Sequence, residues 1–173
     1  RRTYLSIRQN GEEIFSVSEN ELDSVFQARL SPDGEWLAYI DVAGTARELI
    51  VVNMVEYQRY ITNFAQLGDF TGITAVAWSA NSQNLALTLA RTGQQSLITL
   101  PLRTLIENGD VLSRADTPLD QGYIFALDWA PSDKIAYLID DATDSTQNVE
   151  LGFIDSSRNR AMLTLPDIAT GTG

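Results

Sequence analysis

The chain has 173 residues, 44% hydrophobic and 20% charged, a composition that sustains a packed core and fits one domain or a piece of one. Twelve Lys and Arg against 23 Asp and Glu leave a formal charge of -11, which repels nucleic acid phosphates and anionic lipid and makes a basic, cationic or neutral partner the easier expectation. With neither Cys nor His, the sequence excludes disulfides, thiolate metal sites, Cys nucleophiles and any Ser-His-Asp relay.

The first residue is Arg1 rather than Met, so the chain is read as processed, excised or incomplete at that end. "RRTYL" superficially matches a twin-arginine export signal, but the following "SIRQNGEE" supplies no apolar stretch. The longest apolar runs, "AVAW" and "ELIVVNMV", fall short of the roughly 20 residues of a membrane span, so no direct membrane insertion is expected. Residues Thr3 to Ser18 read as two strands around "QNGE", where Asn10-Gly11 favours a tight hairpin.

The next element, "LSPDGEWLAYI" from Leu30 to Ile40, carries the main signal. Pro32 presets φ for a turn, Asp33 can bond the local backbone beside Ser31, and Gly34 takes the positive φ that closes the reversal. A strand apolar on both faces follows, as a strand sandwiched between sheets requires. Two further strands are predicted at Arg47 to Asn53 and Gln58 to Phe64.

The segment Ala28 to Asp41 then returns as "VAWSANSQNLALTL" (Val76 to Leu89) and, with one residue deleted, as "LDWAPSDKIAYLID" (Leu127 to Asp140). Leu30, Trp78 and Trp129 coincide, and the turn positions Ser31, Ser79 and Ala130 lie 48 and 51 residues apart, about the period of one propeller blade. The turn motif is degraded in both later copies. The second copy is followed by strand candidates at Ser96 to Leu102, ending near Pro101, and at Asp110 to Arg114; the stretch Thr104 to Gly122 is an insertion whose start fits a helical turn. The third is followed by Asn148 to Asp155 and Arg160 to Leu165.

Four strands per unit make an antiparallel meander, and such sheets arranged radially make a propeller. The expected organisation is the outer half of a blade at 1–24, blades at 25–73, 74–123 and 124–165, and a tail at 166–173. About three and a half blades are visible, fewer than most closed rings contain. The fold class is therefore an all-β propeller of four-stranded antiparallel blades, part of a larger propeller or completed by oligomerisation or by a different subunit.

The "LSPDGEWLAYI" repeat resembles that of TolB-type propellers, often described as WD-like repeats and also found in the propeller domains of prolyl oligopeptidase-type enzymes. The resemblance covers about Val25 to Leu165. It implies protein partners and a periplasmic or extracytoplasmic setting in the cell envelope, with a cytoplasmic location left open.

Candidate chemistry is sparse. The loop Asp140 to Glu150 holds Asp140, Asp141 and Asp144, yet lacks the ligand spacing and the bend Gly of a calcium loop, so it reads as solvated surface that at most attracts a basic partner. Ser31 and Asp33 are assigned to the turn rather than to catalysis, since no G-x-S-x-G elbow and no His base exist. Trp78 and Trp129 are assigned to packing; Trp36, at a strand start beside Gly34 and Glu35, is the Trp expected to reach a partner. No catalytic, cofactor or metal residue is assigned. The function expected is a non-catalytic scaffold mediating protein-protein interaction within a larger envelope or membrane-associated assembly. The alternative is the propeller of a prolyl oligopeptidase-like hydrolase whose catalytic domain lies outside these residues, and a small-molecule sensor ranks third.

Overall fold

The computed structural model describes residues 5–17, 25–43, 46–62, 70–108, 117–140, 149–155 and 157–165. The first hairpin pairs β1 (Leu5–Gln9) with β2 (Glu12–Val17). Asn10 and Gly11 both take positive φ, 53° and 87°, as a two-residue turn matched to the strand twist requires.

A four-stranded antiparallel meander follows, β3 (Val25–Leu30), β4 (Trp36–Ala43), β5 (Ala46–Asn53) and β6 (Arg59–Thr62). The second unit contributes β7 (Phe70–Trp78), β8 (Asn84–Arg91) and β9 (Gln94–Pro101). Pro101 ends the ladder, and the chain turns directly into a short helix, α1 (Leu102–Asn108), whose Leu102 and Leu105 are buried. The third unit comprises β10 (Asp120–Ala130), β11 (Lys134–Asp140), β12 (Val149–Asp155) and β13 (Arg160–Thr164).

The second unit takes its fourth strand from an unexpected place. The predicted strand at Asp110 to Arg114 lies outside the described residues, and Asp120 to Gly122 pair instead with Leu97 to Gln95 on β9. Strand β10 thus serves two blades: its first residues edge the second, and Ile124 to Ala130 pair with β11 as the innermost strand of the third. That shared strand joins β7 through β13 into one seven-stranded sheet.

All three innermost strands carry an irregularity at the same repeat position. The register slips between Val25 and Gln27, between Ile73 and Ala75, and between Ile124 and Ala126. An extra residue there bends the strand and raises its twist, which lets each long inner strand follow a radial sheet.

Burial records how the blades stack. In β8 the run Leu85 to Leu89 is buried on both faces, because it lies between the first and third blades. One face of β4 and β5, with Ala38, Ile40, Leu49 and Val51, meets Ile73, Val76, Leu85, Leu87 and Leu89 of the second blade. The opposite face, with Leu37, Tyr39, Ile50 and Val52, is covered by Ile7 and Phe15 of the hairpin. Between the second and third blades, Ala86 and Leu97 pack against Ile124, Ile135, Tyr137 and Ile139.

In β11 the pattern alternates instead: Ile135, Tyr137 and Ile139 are buried, whereas Ala136 and Leu138 are only half-buried. The second face of this strand has no blade on it among the described residues. The architecture is an all-β propeller of antiparallel sheets that do not close into a ring among those residues. No helix there is long and apolar enough to cross a membrane.

Candidate functional site

The Ser-Pro-Asp-Gly turn is held by its own side chains. The Ser31 hydroxyl donates to Asp33 Oδ1 at 2.5 Å, the same oxygen accepts the Glu35 backbone N–H at 3.0 Å, and Ser31 Oγ accepts the Trp36 N–H at 2.9 Å. Ser31 is buried while Pro32, Asp33 and Gly34 face solvent. Gly34 has φ 77°, the region its lack of a side chain makes accessible. Burial works against the Asp33 carboxylate, but the Ser31 hydroxyl, the Glu35 N–H and the Ser82 hydroxyl outweigh it and hold the group below the ordinary Asp range.

The second copy, degraded in letters, keeps the same geometry. Ser79 Oγ donates to Asn81 Oδ1 at 2.7 Å, Asn81 Oδ1 accepts the Gln83 N–H at 3.1 Å, and Ser79 Oγ accepts the Asn84 N–H at 2.9 Å. Ser82 takes φ 58° where the first copy has Gly34. An amide oxygen therefore does the work of the carboxylate. The third turn, one residue shorter, places Asp133 at φ 60° with its N–H donating to the Ala130 carbonyl at 3.1 Å.

This equivalence makes a prediction. Asp33→Asn should leave stability at pH 7 nearly unchanged, whereas Asp33→Ala should cost about 1 kcal/mol by stripping the turn of its acceptor. Because the folded-state carboxyl is depressed, its contribution is present above the unfolded Asp value and is lost as pH falls through the folded one. Urea titrations at neutral and acid pH should show that acid-linked loss in the parent and not in Asp33→Asn.

The turns also stitch the first two blades together. The Asp33 N–H donates to Ser82 Oγ at 3.2 Å, Val76 N–H to Gln27 Oε1 at 3.3 Å, and the Trp78 indole N–H to the Arg29 carbonyl at 2.9 Å. Trp78 is buried, as a packing residue should be. Trp36 is half-buried, tilted against Tyr60 with ring centroids 6.2 Å apart, and packs at the margin of the core between the first two blades. Asp140 ends β11 in register with Tyr123 and Val149; Asp141 and Asp144 lie outside the described residues.

Trp129 packs against the core between the second and third blades, as assigned, but less deeply than Trp78. It stands at the repeat position of Trp78, yet it is only half-buried, and its indole N–H turns to Asp133 Oδ1 of its own hairpin at 3.2 Å instead of crossing to the preceding blade. Beside it, between the second and third blades, opens a cleft of about 390 Å³ whose lining includes Asn81, Asn84, Thr99, Leu119, Asp133 and Asp155. The sequence signal was available: Asn84 aligns with Trp36, and Thr99, opposite Ala86, stands where Val51 faces Ala38. Two larger apolar side chains at the first junction are replaced by smaller polar ones at the second.

No protein-family model matches the chain, and neither does any curated protein. Solved structures do. The β-propeller domain of the Trilobed protease from Pyrococcus furiosus superposes with a TM-score of 0.61 at 14% identity, covering 83% of this chain and 43% of that one. A putative TolB from Agrobacterium tumefaciens gives 0.61 at 14% identity, over 90% of this chain and 57% of that one. An acylaminoacyl peptidase gives 0.60 at 10% identity, over 83% of this chain and 25% of that one. The chain therefore spans less than two thirds of each of these proteins, and at such identities the likeness establishes the class, a β-propeller, and nothing narrower.

Proposed function

We propose that the chain is a non-catalytic propeller scaffold for protein-protein interaction, working as a segment or subunit of a larger cell-envelope or membrane-associated assembly on the extracytoplasmic side. The observation that carries this reading is the face of the third blade on which no other blade lies among the described residues. Ala38 and Ile40 in the first blade, and Ala86 and Thr88 in the second, are fully buried by the blade that follows. Their equivalents Ala136 and Leu138, with Leu151 and Phe153 opposite them on β12, are only half-buried. Leu30, the counterpart of Trp78 on the face toward the preceding blade, is 50% exposed. Propeller strands from elsewhere, in the same polypeptide or another, would bury both surfaces as the interior junctions do. The periplasmic setting and the exclusion of nucleic acid rest on the repeat's resemblance to TolB-type propellers and on the charge of -11.

The test pairs the native mass of the 173-residue chain in solution with the intact mass of material from its natural source. A defined oligomer, or a natural chain carrying further repeats, is the outcome expected. A well-folded monomer identical to the natural product would overturn the completion argument. A natural chain with a downstream G-x-S-x-G, Asp and His would replace the scaffold reading by the peptidase alternative.

A further inference from the structure

We propose that the cleft between the second and third blades is a binding site for an arginine side chain presented by a protein partner. This inference is independent of ring completion, since the cleft is built wholly from residues of two adjoining blades.

Its origin lies in the repeat. At the first junction Trp36 fills the space beside the turn, packed on Tyr60, and Trp78 closes it with a hydrogen bond to Arg29 O at 2.9 Å. At the second junction Asn84 replaces Trp36, and Trp129 bonds Asp133 instead of the preceding blade. Among the described residues the space is left open, lined by the Trp129 indole and by Asn84, while the Asn81 oxygen is already taken by the Ser79 hydroxyl and the Gln83 N–H.

Two carboxylates give the cleft its chemistry. Asp133 is oriented by the Trp129 indole N–H. Asp155 is fixed by the N–H groups of Ser157 and Asn159, each at 2.9 Å, and by the Asn159 amide at 3.0 Å, and these bonds hold it ionised. Lys134, in register with Asp155, offsets part of this charge. A flat guanidinium can stack on an indole while donating in its plane to carboxylate and amide oxygens, a combination a compact ammonium cannot match. Leu119, half-buried at the cleft, offers apolar surface to the methylene stem. The charge of -11 on the whole chain favours approach of a basic segment.

The test titrates the full chain with the blocked tripeptide acetyl-Gly-Arg-Gly-amide, read by the indole N–H resonances. Saturable binding that shifts the Trp129 resonance is expected, weakened about tenfold when citrulline, its neutral isostere, replaces the arginine. Asp133→Asn should weaken binding by a similar factor, and Asn84→Trp, which restores the first junction's residue, should abolish it. Should Asn84→Trp fail to fold, Asp133→Asn and Trp129→Phe still decide the matter. Equal affinity for the arginine and citrulline peptides overturns the proposal. So does binding that Asp133→Asn and Trp129→Phe leave intact, and so does a response to neutral oligosaccharide with none to the peptide.

Discussion

Replacing Leu87 by Ala should destabilise the chain by about 3 kcal/mol, the cost of a cavity left by a fully buried leucine that cannot collapse. Leu87 is 0% exposed on β8, flanked in the ladder by Val76 and Ile98, and belongs to the cluster that joins the first and second blades. Rigid strands bound on both sides leave no backbone free to fill the space. Leu138→Ala supplies the contrast. On the half-buried face of β11 it should cost less than about 1 kcal/mol in the 173-residue chain, because water already reaches the site. Urea unfolding checks both, the midpoint dropping sharply for Leu87→Ala with an unchanged slope. The same pair probes completion: in an assembled ring, the cost at Leu138 should rise toward that at Leu87.

The contrast between those two leucines shows what a sequence can and cannot say here. Leu87 closes the Leu85-Ala86-Leu87 segment and Leu138 directly follows Ile135-Ala136-Tyr137, the segments that identify the repeat, and the strand assignment follows from them. Their burial does not, because it depends on whether a neighbouring blade is present. The turns teach the reverse lesson. "SANS" has lost both Pro and Gly, so by letters it is a weak turn, yet Asn81 supplies the same acceptor oxygen as Asp33 and Ser82 accepts the left-handed conformation. Chemistry was retained where residue identity was not.

Other features left no local mark. The register slips after Val25, Ile73 and Ile124 involve neither Gly nor Pro and arise from the demands of a twisted radial sheet. The dual role of β10 depends on a long-range pairing of Asp120 to Gly122 with β9, which no period-2 pattern encodes. The cleft at Trp129 becomes visible only when the three copies are aligned and Asn84 is compared with Trp36, since no motif marks it.

The second large effect concerns a glycine required by close approach. Gly152 is buried on β12, paired in register with Tyr137 on one side and Met162 on the other. A Cβ placed there would collide with the far edge of the Tyr137 ring. That ring has little freedom to yield, because its hydroxyl donates to Asp120 Oδ2, and the same carboxylate oxygen pairs with Arg160 at 3.1 Å. Moving the ring would strip a hydrogen bond from Oδ2 of the Asp120 side chain, 9% exposed, and leave that oxygen to Arg160. Gly152→Ala should therefore cost about 2 to 3 kcal/mol, and combining it with Tyr137→Leu should cost less than the sum of the two. Tyr137→Phe keeps the ring and removes only the hydroxyl, so it should cost about 1 to 2 kcal/mol without relieving the clash. Burial, then the Asp120 hydrogen bond and charge, raises the Tyr137 phenol well above its ordinary value of 10.0. The stability tied to the neutral phenol is complete below that value and is lost as pH rises beyond it, where the unfolded chain ionises first. Unfolding measured across the alkaline range should show this loss in the parent and a smaller one in Tyr137→Phe, which ties the strain at Gly152 to a ring held at both its face and its hydroxyl.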